Sequence, residues 1–175
     1  MADDLTARLQ PLRLMAFDVD GVLTDGRLYF SDDGAEFKSF HTLDGQGMTM
    51  LRDAGIKLAL ITSRRSTLVE RRARDLGVHF CYQGVATKRD TLDEILGELK
   101  LLPAQAGYMG DDLLDLGALT RAGFAATVPA APAAVRSRAH YVTSAAGGAG
   151  AVREVCELIL TAQGLLDGLV AEYLK

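Results

Sequence analysis

The chain has 175 residues, 49% of them apolar and 24% charged, which suits one globular domain with a full core and speaks against a second. A net charge of -4 and a pI near 5.3 make nucleic acid and anionic membranes poor default partners. Cys81 and Cys156 lack CxxC or nearby His spacing and read as buried free thiols of a reducing compartment, while residues 1–11 hold Asp3 and Asp4 and no apolar core, as in neither a signal peptide nor a membrane anchor. The expected location is cytoplasmic.

Residues 1–12 read as a short tail and residues 13–175 as a single domain. An apolar run at 13–17, too short for a helix, predicts a buried central strand that ends on Asp18 and Asp20. The segment that follows predicts a β-hairpin over about 27–40, turned at the Asp33-Gly34 pair. That excursion carries Leu28, Tyr29, Phe30, Phe37 and Phe40, more apolar surface than a solvated flap should expose. Asp44 is expected to cap a helix through about Asp53, closed by Gly55. Strands are predicted at 57–61, 78–82, 106–109 and 124–128. Helices are predicted at 66–76, from a Thr87 cap to before Pro103, over a short stretch reaching Arg121, and at 151–163. Short elements at 135–138 and 140–142 complete the alternation. Repeated strand-helix units predict an α/β, Rossmann-like three-layer fold with a central parallel sheet.

Two acids one residue apart share a face if the strand continues through them, and like charges so close raise each other's pKa unless a cation or donors compensate. Taken alone, the pair reads as a strand end turning into a loop with both acids solvated. Similar alternatives hold for the other polar residues at strand ends: Thr62 as a turn residue, Lys88 as a solvated first-turn lysine, and Asp111, Asp112 and Asp115 as a helix cap. Their joint placement is the informative fact, because ligands of open parallel sheets bind outside the carboxyl ends of the strands.

In that arrangement Asp18-Val19-Asp20-Gly21-Val22-Leu23-Thr24, Thr62, Lys88 and Gly110-Asp111 through Asp115 resemble, in order, the four motifs of the haloacid dehalogenase-like phosphotransferases. The resemblance implies that Asp18 is the nucleophile and that Asp20 protonates the leaving oxygen and later activates water. It also implies that Asp18, Asp111 and Asp20, the last through its carbonyl, hold Mg²⁺, with Asp115 and Asp112 in support. Thr62 and Lys88 would neutralise the phosphoryl group. Hard oxygen donors suit Mg²⁺, and the chain lacks the His and Cys clusters of a zinc site.

The spacing between motifs leaves no room for a cap domain, so the site is expected to be open unless another subunit's hairpin covers it. Over residues 13–163 the chain looks like the capless subgroup that contains 3-deoxy-D-manno-octulosonate 8-phosphate phosphatase, through FDVDGVLTDGRLYF, the FHTLDGQGM run, Tyr82-Gln83-Gly84, GDDLLD and residues 147–154. That implies a homotetramer built through the hairpins and hydrolysis of an eight-carbon sugar-acid phosphate made for lipopolysaccharide. Arg64 matches the subgroup's arginine, a suitable partner for a sugar carboxylate, and with Thr62, Ser63 and Lys88 makes the expected substrate contacts. Ser63 stands where glycine is usual, and Ala149 where a larger residue is common. Two alternatives remain open: a phosphatase of nine-carbon sialic-type sugar acids, and a receiver-like phosphoacceptor domain, whose acid pair precedes a lone acceptor on a later strand.

Arg71, Arg72 and Arg74 read as a solvated helix face, with Arg65 as a candidate second anion contact. His41 and His79 read as structural. Glycines 147, 148 and 150 fit either a flexible linker or a set of amides facing an anion. The tail, about 164–175, is helically spaced but interrupted by Gly164 and Gly168.

Overall fold

The computed structural model describes residues 2–175, with side chains from residue 4 onward. Its centre is a six-stranded sheet formed by β1 (Leu14–Phe17), β4 (Lys57–Thr62), β5 (Phe80–Gln83), β6 (Ala106–Met109), β7 (Phe124–Thr127) and β8 (Tyr141–Val142). The spatial order is β5-β4-β1-β6-β7-β8 and every pairing is parallel. All four residues of β1 are buried, as are those of β6 and β7, which is why these segments read as unbroken apolar runs.

From β1 the chain winds outward through β4 to β5, then returns to β6 on the other side of β1 and continues to β7 and β8. Right-handed crossovers therefore place α2 (Thr42–Asp53) and α3 (Thr67–Leu76) on one face, and α4 (Lys88–Leu99) and α5 (Leu116–Arg121) on the other. After α6 (Ala133–Arg136) and β8, α7 (Ala151–Ala162) packs back against α2. The reversal of winding occurs beside β1, so the crevice at its carboxyl end is the topological switch point. Between β1 and β4 lie only α2 and a separate hairpin of β2 (Tyr29–Phe30) and β3 (Glu36–Phe37), in which Tyr29 pairs with Phe37. Its turn closes at Gly34, whose φ of 84° suits the glycine of the Asp-Gly pair. The predicted three-layer fold with a hairpin insertion and no cap is what the chain adopts.

Several local expectations need correction. Residues read as a tail form helix α1 (Ala2–Leu9), and Leu9 and Leu12 are in the core. Asp44 does not cap its own helix. It is buried, and its carboxylate accepts from the amides of Gly150 and Arg153 at 3.3 and 2.8 Å, so it caps α7 and ties that helix to α2. Thr87 precedes α4 without a side-chain capping bond. Cys156 is buried as expected, but Cys81 is exposed on edge strand β5. Phe40 turns away from the hairpin face and lies under the Arg72 guanidinium, 5.8 Å from ring centroid to Cζ. The tail carries α8 (Leu166–Glu172), with Leu166 and Leu169 against the core and Tyr173 bonded to Gln46.

Residues 147–150 are not a flexible linker. The Gly148 amide donates to the Val22 carbonyl at 2.9 Å, and a Cβ at Gly147 would lie 1.8 Å from the Gly21 carbonyl oxygen. Glycine is needed there because two backbones touch, which braces the loop following β1.

Candidate active site

The Asp18 amide donates to the Met109 carbonyl at 2.9 Å, extending the β1–β6 ladder by one residue and fixing where its side chain emerges. The chain then turns tightly: the amides of Val22, Leu23 and Thr24 all converge on the Val19 carbonyl. The Thr24 hydroxyl accepts from the amides of Gly21 and Gly26 at 3.3 and 3.2 Å and holds the turn closed from inside. Gly21 has φ of 94°, and a Cβ there would stand 2.0 Å from Asp111 Oδ2. The two acidic loops can approach only because that position has no side chain.

A cleft of about 320 Å³ opens at this point, lined among others by Asp18, Asp20, Thr62, Arg64, Lys88 and Asp111. Ser63, Asp112 and Asp115 also border it, so every expected site residue meets in one place. A larger cleft, about 530 Å³, lies between Arg13, Gly55 and Gln163 before the starts of β1 and β4; it contains no carboxylate or nucleophile and has no comparable chemistry.

Lys88, at the start of α4, is almost completely buried between two acids, with Nζ 2.8 Å from Asp18 Oδ1 and 2.6 Å from Asp115 Oδ1. Asp115 is fully buried and saturated. Its Oδ1 also accepts from the Tyr108 hydroxyl at 2.7 Å, and its Oδ2 from the amides of Asp111 and Asp112, each at 3.0 Å. Burial would lower the Lys88 pKa, but the two carboxylates outweigh it and raise it, so this lysine is a fixed positive charge. Burial, followed by the charge of Asp115, pushes Asp18 up to about 7 despite Lys88. The same two causes push Asp111 up to about 6.

The site thus contains more negative charge than one lysine can balance. Oxygens of Asp18, Asp111 and Asp115 lie within 4.8 Å of one another, and Asp111 Oδ1 is buried without a hydrogen-bond partner. An orphaned carboxylate oxygen beside a second acid fits a hard divalent cation. Asp115 belongs to this cluster, but its oxygens already accept from four donors, so Asp18 and Asp111 are the carboxylates that would be free to hold such an ion. Asp20 contributes no carboxylate oxygen to the cluster: its side chain turns to Lys38 instead, leaving the backbone carbonyl as the donor named from sequence. Asp112 uses Oδ1 to cap the turn at Leu113, at 2.7 Å.

On the opposite wall the Thr62 hydroxyl is buried and accepts from the Arg64 amide at 3.2 Å. Ser63 has negative φ, as do all described non-glycine residues except Lys100, so serine in place of glycine imposes no left-handed strain. Arg64 is 43% exposed, with Nη2 3.0 Å from Glu36 Oε1 and Nε 3.8 Å from Asp20 Oδ2. Arg65 lies against Gly84 and does not line the cleft. His79 accepts from the Leu58 amide through Nδ1, a structural role.

Sequence reasoning missed three participants. Tyr108 was signalled only by being a tyrosine in a fully apolar strand, where its hydroxyl needs a partner. Thr24 was counted in a motif without a role. Lys38 gave no signal at all.

No protein-family model matches the chain. The 3-deoxy-D-manno-octulosonate 8-phosphate phosphatase of Yersinia pestis is 44% identical over 168 residues, covering 96% of this chain and 90% of that protein. The protein of the same name in Escherichia coli K12 is 42% identical over 164 residues, covering 94% and 87%. The crystal structure of the Moraxella catarrhalis phosphatase of that name, in complex with a magnesium ion, a phosphate ion and KDO, has a TM-score of 0.97 at 40% identity and covers 99% of both chains. The cobalt-bound Haemophilus influenzae phosphatase gives 0.86 at 38%, covering 90% and 92%. Identity of this extent, spread over nearly the whole of each partner, means that the chain belongs to the 3-deoxy-D-manno-octulosonate 8-phosphate phosphatase family of haloacid dehalogenase-like hydrolases.

Proposed function

We propose that this protein is a Mg²⁺-dependent phosphomonoesterase that converts 3-deoxy-D-manno-octulosonate 8-phosphate to the free sugar acid and phosphate, in lipopolysaccharide precursor synthesis in the cytoplasm. The observation that carries the reading is the buried Asp18 carboxylate, fixed beside Lys88 at the switch point and facing Asp111 with its unpartnered oxygen. Mg²⁺, held by Asp18, Asp111 and the Asp20 carbonyl, would offset charge on the phosphoryl oxygens and let a carboxylate approach them.

Asp18 attacks phosphorus, forming an aspartyl phosphate as the bond to the leaving oxygen breaks; Asp20 gives its proton to that oxygen. Asp20, now ionised, takes a proton from the water that attacks the aspartyl phosphate, releasing inorganic phosphate and restoring both acids. Lys88 and the Thr62 hydroxyl contact the transferred group, and Asp115 fixes Lys88 while its amide bonds orient the Asp111 loop. Ser63 and Arg64 border the substrate side. Arg64 is accessible and already engages a carboxylate, that of Glu36, which supports recognition of a sugar acid.

The testing experiment is phosphate release with Mg²⁺ from the eight-carbon acid ester, a nine-carbon sialic-type ester and hexose 6-phosphates lacking a carboxylate. The eight-carbon ester should have the highest kcat/KM; a nine-carbon preference would replace the substrate, and no hydrolysis of any ester would remove the phosphatase reading.

The assembly is proposed to be a homotetramer joined through the hairpins. Leu28, Tyr29, Phe30 and Phe37 are exposed on one excursion beside the cleft, with Phe30 62% and Phe37 57% accessible. Covering such a face gains about 25 cal/mol per Å² of apolar surface. Phe30→Asp with Phe37→Asp should yield a smaller species by light scattering, with a matching loss of activity; an unchanged mass would contradict hairpin assembly.

A further inference from the structure

Four charges form a closed ring at the mouth of the cleft. Lys38 Nζ contacts Asp20 Oδ1 and lies 3.4 Å from Glu36 Oε1; Glu36 in turn accepts from Arg64 Nη2, whose Nε faces Asp20 Oδ2. Lys38 and Glu36 belong to the returning leg of the hairpin, Asp20 to the loop after β1, and Arg64 to the loop after β4. The Lys38 side chain is only 2% exposed, although Phe37 and Ser39 on either side of it are exposed. Burying an ammonium is costly without good partners, so its burial against Asp20 is a specific arrangement and not a default surface pair.

We propose that Lys38 is the positioning residue for Asp20: by holding Oδ1 it leaves Oδ2 as the oxygen that exchanges a proton with the leaving group and with water. This rests on the reading of Asp20 as the acid and base. Arg64 cannot replace Lys38 in this role, since its Nε at 3.8 Å is beyond hydrogen-bond distance and its side chain is largely accessible. The ring also gives the hairpin a task besides presenting aromatic residues. Glu36 and Lys38 sit two apart on one side of its return leg, with Phe37 between them on the outward side. A hairpin seated correctly against a neighbour is therefore the hairpin that holds Asp20 in place. Because Glu36 occupies Arg64 in the free protein, a substrate carboxylate that takes Arg64 leaves Lys38 shared between Asp20 and a released Glu36.

A merely structural lysine and a positioning lysine differ in how their loss depends on the leaving group. Phosphoryl transfer to Asp18 needs an acid when the departing oxygen is a basic alkoxide, and hardly at all when it is p-nitrophenolate. The test compares kcat/KM of the full-length, Mg²⁺-loaded enzyme and its Lys38→Met, Lys38→Gln and Lys38→Arg variants on benzyl phosphate and p-nitrophenyl phosphate. We expect Met and Gln to lower kcat/KM for benzyl phosphate roughly 10- to 100-fold while changing p-nitrophenyl phosphate by less than about 3-fold, with Arg recovering most of the loss. Equal losses on both esters, or no loss on either, would overturn the assignment. Since both esters are synthetic, wild-type enzyme that hydrolyses them but ignores the eight-carbon sugar acid refutes the substrate reading and leaves the comparison at Lys38 fully decisive.

Discussion

Asp18→Asn is expected to reduce phosphate release by roughly 10⁴-fold or more while the protein stays folded. The substitution keeps the shape of a side chain that is 6% exposed and removes the one atom proposed to bond to phosphorus. Lys88 keeps its 2.6 Å contact with Asp115, so no buried ammonium is left alone. Burial raises the Asp18 pKa to about 7, which means that the ionised form is the unfavourable one in the metal-free fold. A neutral amide relieves that cost, and the metal-free variant should melt at or above the wild-type temperature. Activity assays beside calorimetry check both halves; an active variant would sink the nucleophile assignment, and one that is inactive because it is unfolded would be recognised by its melting curve.

The second large effect concerns pH and metal. Asp18 and Asp111 have folded pKa values of about 7 and about 6, against 3.8 for the free side chain. Between about pH 4 and 7 the folded, metal-free protein therefore holds protons that the unfolded chain has released. The contribution of these two acids to stability is greatest at the acid end of that window and falls as pH rises through it, while His79 and His140, whose pKa burial lowers, contribute in the opposite direction below about 6.5. A tenfold difference in proton affinity between the folded and unfolded chain is worth about 1.4 kcal/mol, so Asp18 alone accounts for a loss on the order of a few kcal/mol. Carboxylates held below their usual range, such as Glu154, which accepts from the Ser144 and Ala145 amides, gain stability with pH only below about 4.5 and do not offset this trend. As the proposed ligands of Mg²⁺, both acids must be ionised to bind it, so its affinity should climb across the window and level off above pH 7. Thermal melts in chelator and in excess Mg²⁺ at pH 5 and pH 8 measure this. We expect the chelated protein to melt lower at pH 8 than at pH 5. We expect Mg²⁺ at about 100 times its Kd to add about 2.7 kcal/mol at pH 8 and little at pH 5. A larger Mg²⁺ effect at pH 5 would show that these carboxylates are not the ligands.

What could be read from the chain depended on whether a residue's role was local. Buried parallel strands appear as short apolar runs, and the acids of the site follow β1 and β6 directly, so Asp18, Asp20 and Asp111 were visible in sequence. Asp44 was not legible in the same way. Its position at the start of α2 is a capping signature, yet its carboxylate serves the amides of α7, 106 residues further on. Helix α1 was hidden because Asp3 and Asp4 dilute a pattern in which Leu5, Leu9 and Leu12 face the core. Ser63 looked like a departure that could disturb the backbone, and the strand end simply has no need of glycine there. Lys38 had no legible role because the path of the hairpin back over the loop after β1 is set by tertiary packing, and a lysine among exposed aromatic residues resembles a solubilising charge.

The central claim is that Asp18 attacks the phosphorus of the eight-carbon sugar-acid ester. Rapid acid quench of enzyme mixed with Mg²⁺ and 3-deoxy-D-manno-octulosonate 8-phosphate, followed by peptide mapping, tests it most directly. The expected result is one phosphoryl group on Asp18 in the tryptic peptide spanning residues 14–27; phosphoryl on Asp20 or on any other residue, or no turnover of that ester, would contradict it.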